Sequence, residues 1–105
     1  MTTQLDLLTA VADNPQPLAA QYRDRIVAAI VTDATCHGDI VDSNRVRRLL
    51  SNDHGLTVPP RQLSATYSAL AARGFLEPAG WTTSDDVRGG NAGKPARLWR
   101  WVGAA

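Results

Sequence analysis

Apolar residues recur along this chain at two spacings, and the change from one to the other divides it. As far as Leu70 they return every three or four positions, the period of a helix; beyond Gly74 they alternate. In the first stretch Leu5, Leu8 and Ala12 share one helical face, with Thr3 placed to cap it. "DNPQP" at 13–17 ends that short helix, because proline lacks the N–H that a helix needs. Tyr22, Ile26, Val27 and Ile30 predict a longer helix from about Leu18 to Ala34, stopped by Gly38. Ile40 and Val41 suit a short edge strand. Asp42 or Ser43 then caps a helix over "SNRVRRLLS", which turns Val46, Leu49 and Leu50 inward and leaves Asn44, Arg45, Arg47 and Arg48 largely outside. "NDHGLTVPP" reads as a loop, and Pro60 suits the first turn of a helix running to Arg73. Leu63, Tyr67, Leu70 and Ala71 form the inner face of that helix; Gln62, Ala65, Ala69 and Ala72 point the other way, flanked by Arg61, Thr66, Ser68 and Arg73, with Ser64 nearer the core side. "FLEPAGWTTS" is a strand bent near Pro78 and Gly80, "DDVRGGNAGK" a flexible loop, and "PARLWRWV" a second strand, so the two strands form a hairpin.

The expected fold is therefore α+β, mostly α: a three-helix core, a short edge strand and a C-terminal hairpin, preceded by the extra N-terminal helix. Residues 1–17 hold that helix and its Pro-containing linker, and residues 18–105 form the domain. A chain of 105 residues fits one domain with a modest core. Cys36 is the single cysteine, and "MTTQLDLLTAVADN" lacks a basic leader, so a reducing, cytoplasmic setting is the simplest reading. No apolar run is long enough to span a membrane.

Charge changes the picture once it is divided. Residues 1–42 carry a net −4 from six aspartates and two arginines. Residues 43–105 carry a net +5, from eight arginines and Lys94 against Asp53, Glu77, Asp85 and Asp86. The asymmetry points to an anionic partner for the second half, with a solvated surface as the plainer alternative.

Enzyme chemistry finds little footing. Cys36, His37 and His54 lack the paired spacing of a zinc site. Cys36 is expected to pack beside the long helix, and His54 to lie in an exposed turn. "GGNAGK" lacks the GK[ST] ending of a phosphate-binding loop and precedes a strand rather than a helix. No cofactor, metal or catalytic residue is assigned.

The helix "PPRQLSATYSALAARG", then "FLEPAGWTTS" and "GGNAGKPARLWRWV", resemble the recognition helix and wing of the winged helix-turn-helix family over about residues 18–102. The style is similar to small winged-helix proteins of actinobacteria and their phages. The resemblance implies binding of double-stranded DNA, with the helix over about 60–73 in the major groove and the wing over 85–97 on backbone or minor groove. Under it, transcriptional regulation is the leading role. A protein-binding module of the same fold and a replication-associated single-stranded DNA binder are the alternatives.

The residue chemistry agrees independently. Small alanines let a helix approach base edges; Arg61 can fork to guanine, Gln62 can pair with adenine, and Ala65 and Thr66 are further base-reading candidates. Ser68 and Arg73 suit backbone phosphate. Arg45 and Arg48 share a helix face at i and i+3 with no acid on it, which also suits phosphate. Gly89, Gly90 and Gly93 give the loop freedom, and Arg88, Lys94 and Arg97 supply charge to a curved phosphate surface. Trp99 and Trp101 share a strand face and read as core, with a stacking platform for single strands as the alternative. A homodimer through Leu5, Leu8 and Ala12 stays open beside docking of that helix on its own domain.

The interval from Ser51 to Pro59 exceeds the short turn of a strict helix-turn-helix, so either the preceding helix is extended or the turn carries an insertion.

Overall fold

The computed structural model describes residues 17–55 and 57–103, so the helix expected over Gln4–Ala12 lies outside the described residues. Three helices pack beside a three-stranded antiparallel sheet: α1 (Pro17–Cys36), β1 (Ile40–Asp42), α2 (Ser43–His54), α3 (Pro60–Ala72), β2 (Leu76–Thr83) and β3 (Pro95–Trp101).

Helix α1 turns Ile26, Val27, Ile30 and Ala34 into the core and packs against both α2 and α3. It ends because Gly38 and Asp39 both adopt left-handed backbone, at φ 62° and 71°, and the Asp39 N–H closes on the Ala34 carbonyl at 2.9 Å. An aspartate tolerates that conformation better than most side chains. Cys36, the last residue of α1, is exposed rather than packed beside the helix.

Asp42 caps α2 as expected, its carboxylate accepting the Asn44 N–H at 2.8 Å. The interval before α3 resolves in favour of a longer helix. Helix α2 runs through His54 and is closed by left-handed Gly55, so His54 belongs to the helix rather than to a turn. Pro60 stands at the N-terminus of α3, whose Leu63, Tyr67 and Leu70 are buried.

In the sheet the order is β1-β3-β2, which makes the last strand in sequence the central one. Val41 faces Trp99 across β1–β3, and Trp81 faces Arg97 across β2–β3. The β2–β3 register shifts between Pro78 and Gly80, where Pro78 has no N–H for the ladder and Gly80 takes φ 118°.

Trp99 stacks on Tyr67 of α3, with ring centroids 6.2 Å apart, and Trp101 stacks on Phe75 at 6.0 Å. Both indoles are partly buried against the core, where offset stacking adds to the area they bury. They fasten the hairpin to α3 and to the turn that follows it. Among the described residues no helix is long and apolar enough to cross a membrane.

Candidate nucleic-acid interface

The exposed face of α3 is set by which residues the core takes. Leu63, Thr66, Tyr67 and Leu70 are buried, and Ala69 is partly buried against the same core. The residues left outside are Arg61, Ser64, Ala65, Ser68 and Ala72. The outer face is thus turned toward the serines and away from Gln62, which is half-buried. Thr66 is not available to read a base: it is 1% exposed, and its hydroxyl donates to the Gln62 carbonyl at 2.8 Å. A β-branched residue that satisfies its hydroxyl within the helix can be buried like valine, and helical periodicity alone does not distinguish the two outcomes. Ser64, expected nearer the core, is exposed.

Opposite this face lies β3. Between them runs a groove of about 540 Å³, with Arg61, Ser64 and Ser68 on the helix side, Lys94, Ala96 and Arg97 on the strand side, and Tyr67 and Trp99 among its lining. Among the described residues neither Arg61 nor Lys94 has an ion-pair partner, and both are exposed. Asp86 also borders the groove, but its carboxylate is held by the Gly89 N–H at 2.9 Å and the Asn91 amide at 3.2 Å. The Tyr67 hydroxyl is buried without a hydrogen-bond partner, and burial pushes its pKa far above the usual phenol value. It stays a neutral donor at any working pH.

The arginines of α2 tell a different story. Arg45 and Arg48 are expected to meet no neutralising acid on their helix face, and the structure corrects this: the capping Asp42 stands one turn before Arg45 on that face, and Asp33 and Asp85 come from other elements. The Arg45 guanidinium donates to Asp33 at 2.7 Å and to the Ile40 carbonyl at 3.0 Å, with Asp42 3.8 Å away. Asp33, on α1, is 1% exposed and also accepts the Asp42 backbone N–H at 2.9 Å. Arg45 is therefore a strut joining α1, β1 and α2. Arg47 and Arg48 both grip Asp85, at 2.9 and 2.7 Å. The hydrogen bond from Arg47, followed by the charges of both arginines, holds the Asp85 carboxyl below the usual carboxylate range.

That grip also corrects the expectation of a flexible hairpin loop. Residues 84–94 are closed at the base by Ser84 N–H to Lys94 O and Gly93 N–H to Ser84 O, each 2.8 Å. Asn44, expected outside the apolar stripe, is buried. Its side chain accepts the Asp85 N–H at 3.1 Å and donates to the Thr83 carbonyl at 2.9 Å. Arg88 donates to the Thr57 hydroxyl at 3.1 Å, so it faces the turn before α3 rather than the groove. Gly89 is required by close approach: a Cβ there would clash with Asp86 and come within 2.7 Å of Pro60 Cγ. The glycines shape one loop conformation, and Gly90 and Gly93 do so at φ 74° and 83°.

Of the residues singled out from the sequence, the fold brings Arg61, Ser68, Lys94 and Arg97 to one groove. Ala65 is exposed on the same helix, and Arg73 is exposed at its C-terminal end. Arg45, Arg48 and Arg88 lie apart, engaged with other residues.

One prominent residue escaped the sequence reading. Trp81 on β2 is 61% exposed, with the Arg97 guanidinium 4.5 Å from its ring centroid. Alternation places it on a strand, on the same face as Arg97 and Trp99, but how much of that face the helices cover is a tertiary fact. Among the described residues no group of three or more His, Cys, Asp or Glu is arranged to hold a metal ion. Comparison with family models, curated proteins and solved structures finds no match for this chain.

Proposed function

We propose that this chain is a winged helix-turn-helix protein that binds double-stranded DNA with sequence preference, in the role of a transcriptional regulator. Helix α3 is the reading helix, and the β2–β3 hairpin is the wing. The observation that carries the reading is the groove between them. It gathers Arg61, Lys94 and Arg97 with the exposed hydroxyls of Ser64 and Ser68, and Arg61 and Lys94 are left without an acid among the described residues. Cations beside an exposed helix face of small residues fit the path of a phosphate backbone along a major groove.

Within this reading Arg61 in the first turn of α3 forks to a guanine edge, and Ala65 meets a thymine methyl. Ser64 and Ser68 donate to phosphate, and Lys94 supplies backbone charge from the wing. The test is a titration of duplex DNA at several salt concentrations, using a site selected from random sequence. Log affinity is expected to fall linearly with log salt, at about −0.9 per phosphate neutralised. Absence of duplex binding even at low salt overturns the proposal.

A further inference from the structure

We infer that Trp81 is a stacking platform for an unpaired base, which makes a duplex carrying a single-stranded extension the preferred ligand of the interface. The inference rests on the duplex-binding reading above and deepens it.

The position of Trp81 does not follow from the needs of the fold. Its neighbours Thr82 and Thr83 have comparable strand preference, so a threonine would serve the hairpin as well. The indole is instead left 61% exposed on β2, at the edge of the sheet. It ends a run of planar groups. Arg97 lies across the ladder from Trp81 with its guanidinium 4.5 Å from that ring and 5.5 Å from the ring of Trp99. Trp99 stacks in turn on Tyr67 of α3. The inner end of this run is covered by the helix that borders the groove, and the outer end is open to solvent.

The surroundings favour a nucleic-acid base over an apolar protein surface. The immediate partner of Trp81 is a cation, and Lys94 and Arg61 stand along the adjoining groove. Among the described residues the other exposed large apolar side chains, Val87 and Val102, lie in the hairpin loop and beyond the far end of β3, so the three do not make one patch. An exposed aromatic beside arginine and a basic groove is the arrangement by which proteins hold single strands, through stacking and charge together. The geometry of stacking then selects the ligand. Inside an intact duplex both faces of each base are covered by its neighbours, and an end pair stays fixed in the stack, so an unpaired or extruded base is the one free to reach the platform beside the groove.

The test uses one duplex in two forms, blunt and with a short single-stranded extension containing 2-aminopurine, together with the single strand alone. The full chain is compared with Trp81→Ala and Trp81→Phe, after thermal melts establish that both variants fold. The extension is expected to tighten binding by about tenfold in the wild type. Trp81→Ala should lose that gain while binding the blunt duplex as before, and Trp81→Phe should keep most of it. Quenching of 2-aminopurine should follow the same order. The inference is overturned if the extension adds nothing, if Trp81→Ala weakens blunt and extended duplexes equally, or if the single strand binds as tightly as the extended duplex. Salt-sensitive binding of the blunt duplex with no gain from the extension removes this inference alone. Failure of every oligonucleotide to bind at low salt removes the duplex reading with it.

Discussion

Two basic regions meet at Arg47, which borders the groove from α2, and they use the same kind of residue for opposite ends. On α2, Arg45, Arg47 and Arg48 are each answered by a carboxylate: Asp33 from α1, or Asp85 from the hairpin loop. Along the groove between α3 and β3, Arg61 and Lys94 have no such answer among the described residues. Charge on α2 is used to hold elements together, and charge at the groove is left without an acid among the described residues. A count of cations, or even their clustering along one helix, therefore does not locate an electrostatic interface. What matters is whether the fold returns an acid to them.

The largest effect is expected where the pairing is most buried. Asp33→Ala removes a carboxylate that is 1% exposed, taking away the nearest acid of Arg45 and the acceptor of the Asp42 N–H. Breaking such a pair costs about 3 kcal/mol, so a thermal melt should show a large drop in midpoint. Arg61→Ala, on an exposed face, should shift stability by no more than about 0.5 kcal/mol. Equal stability losses in the two variants would erase the distinction between the regions.

A second comparison reads binding rather than stability. Lys94→Ala should weaken every duplex alike and reduce the magnitude of the salt slope by about one unit. Arg61→Ala should also relax preference at particular base positions, by about 1–3 kcal/mol of discrimination. Arg45→Ala, measured where the variant is still folded, should leave the slope unchanged because its charge is already matched. Affinities for the selected site and its single-base variants, taken across salt, check all three.

Asp85 offers the mildest perturbation and the one most able to break the contrast. Asp85→Ala unmasks Arg47 and Arg48, and if those side chains reach a backbone phosphate the salt slope should steepen by about one unit. An unchanged slope would fix the α2 cluster as purely structural. Acid acts on the same contact. The folded-state pKa of Asp85 is depressed, so its contribution is present above the ordinary carboxylate pKa and lost as pH falls through the lower, folded value. Asp85 is exposed, so solvent screens the contact and the stability change should be small. Following its carboxyl resonance by NMR should show titration below the usual aspartate range, and Arg47→Ala should move it back up.

Much of this protein was written in local pattern. Helical spacing marked α1 and α2, and the shift to alternation after Gly74 marked the hairpin. Asp42 as a cap, Pro60 at a helix start and the bend near Pro78 and Gly80 follow from the chemistry of single residues and their immediate neighbours. Arg61, Ser68, Lys94 and Arg97 were singled out on charge and helix phase, and the fold gathers them at one groove. Local pattern is reliable where the decisive interaction spans a turn of helix or a rung of sheet.

Contacts made at long sequence separation are set by the folded arrangement. Nothing within reach of Arg45 along its own helix face foretells Asp33 twelve residues earlier, and Asp85 is 38 residues from Arg47. The loop over residues 84–94 has the composition of a flexible segment, yet Asp85, Asp86 and buried Asn44 tie it into one shape. Thr66 went inside and Ser64 outside because the neighbours of α3 fixed its rotation more finely than helical phase does. Trp99 and Trp81 both lie on strands of the same hairpin. One meets Tyr67 of α3, and the other, on the edge strand, meets solvent and the Arg97 guanidinium. Burial and ion pairing depend on what another part of the chain brings to a residue, and that is a property of the folded arrangement rather than of any stretch of sequence.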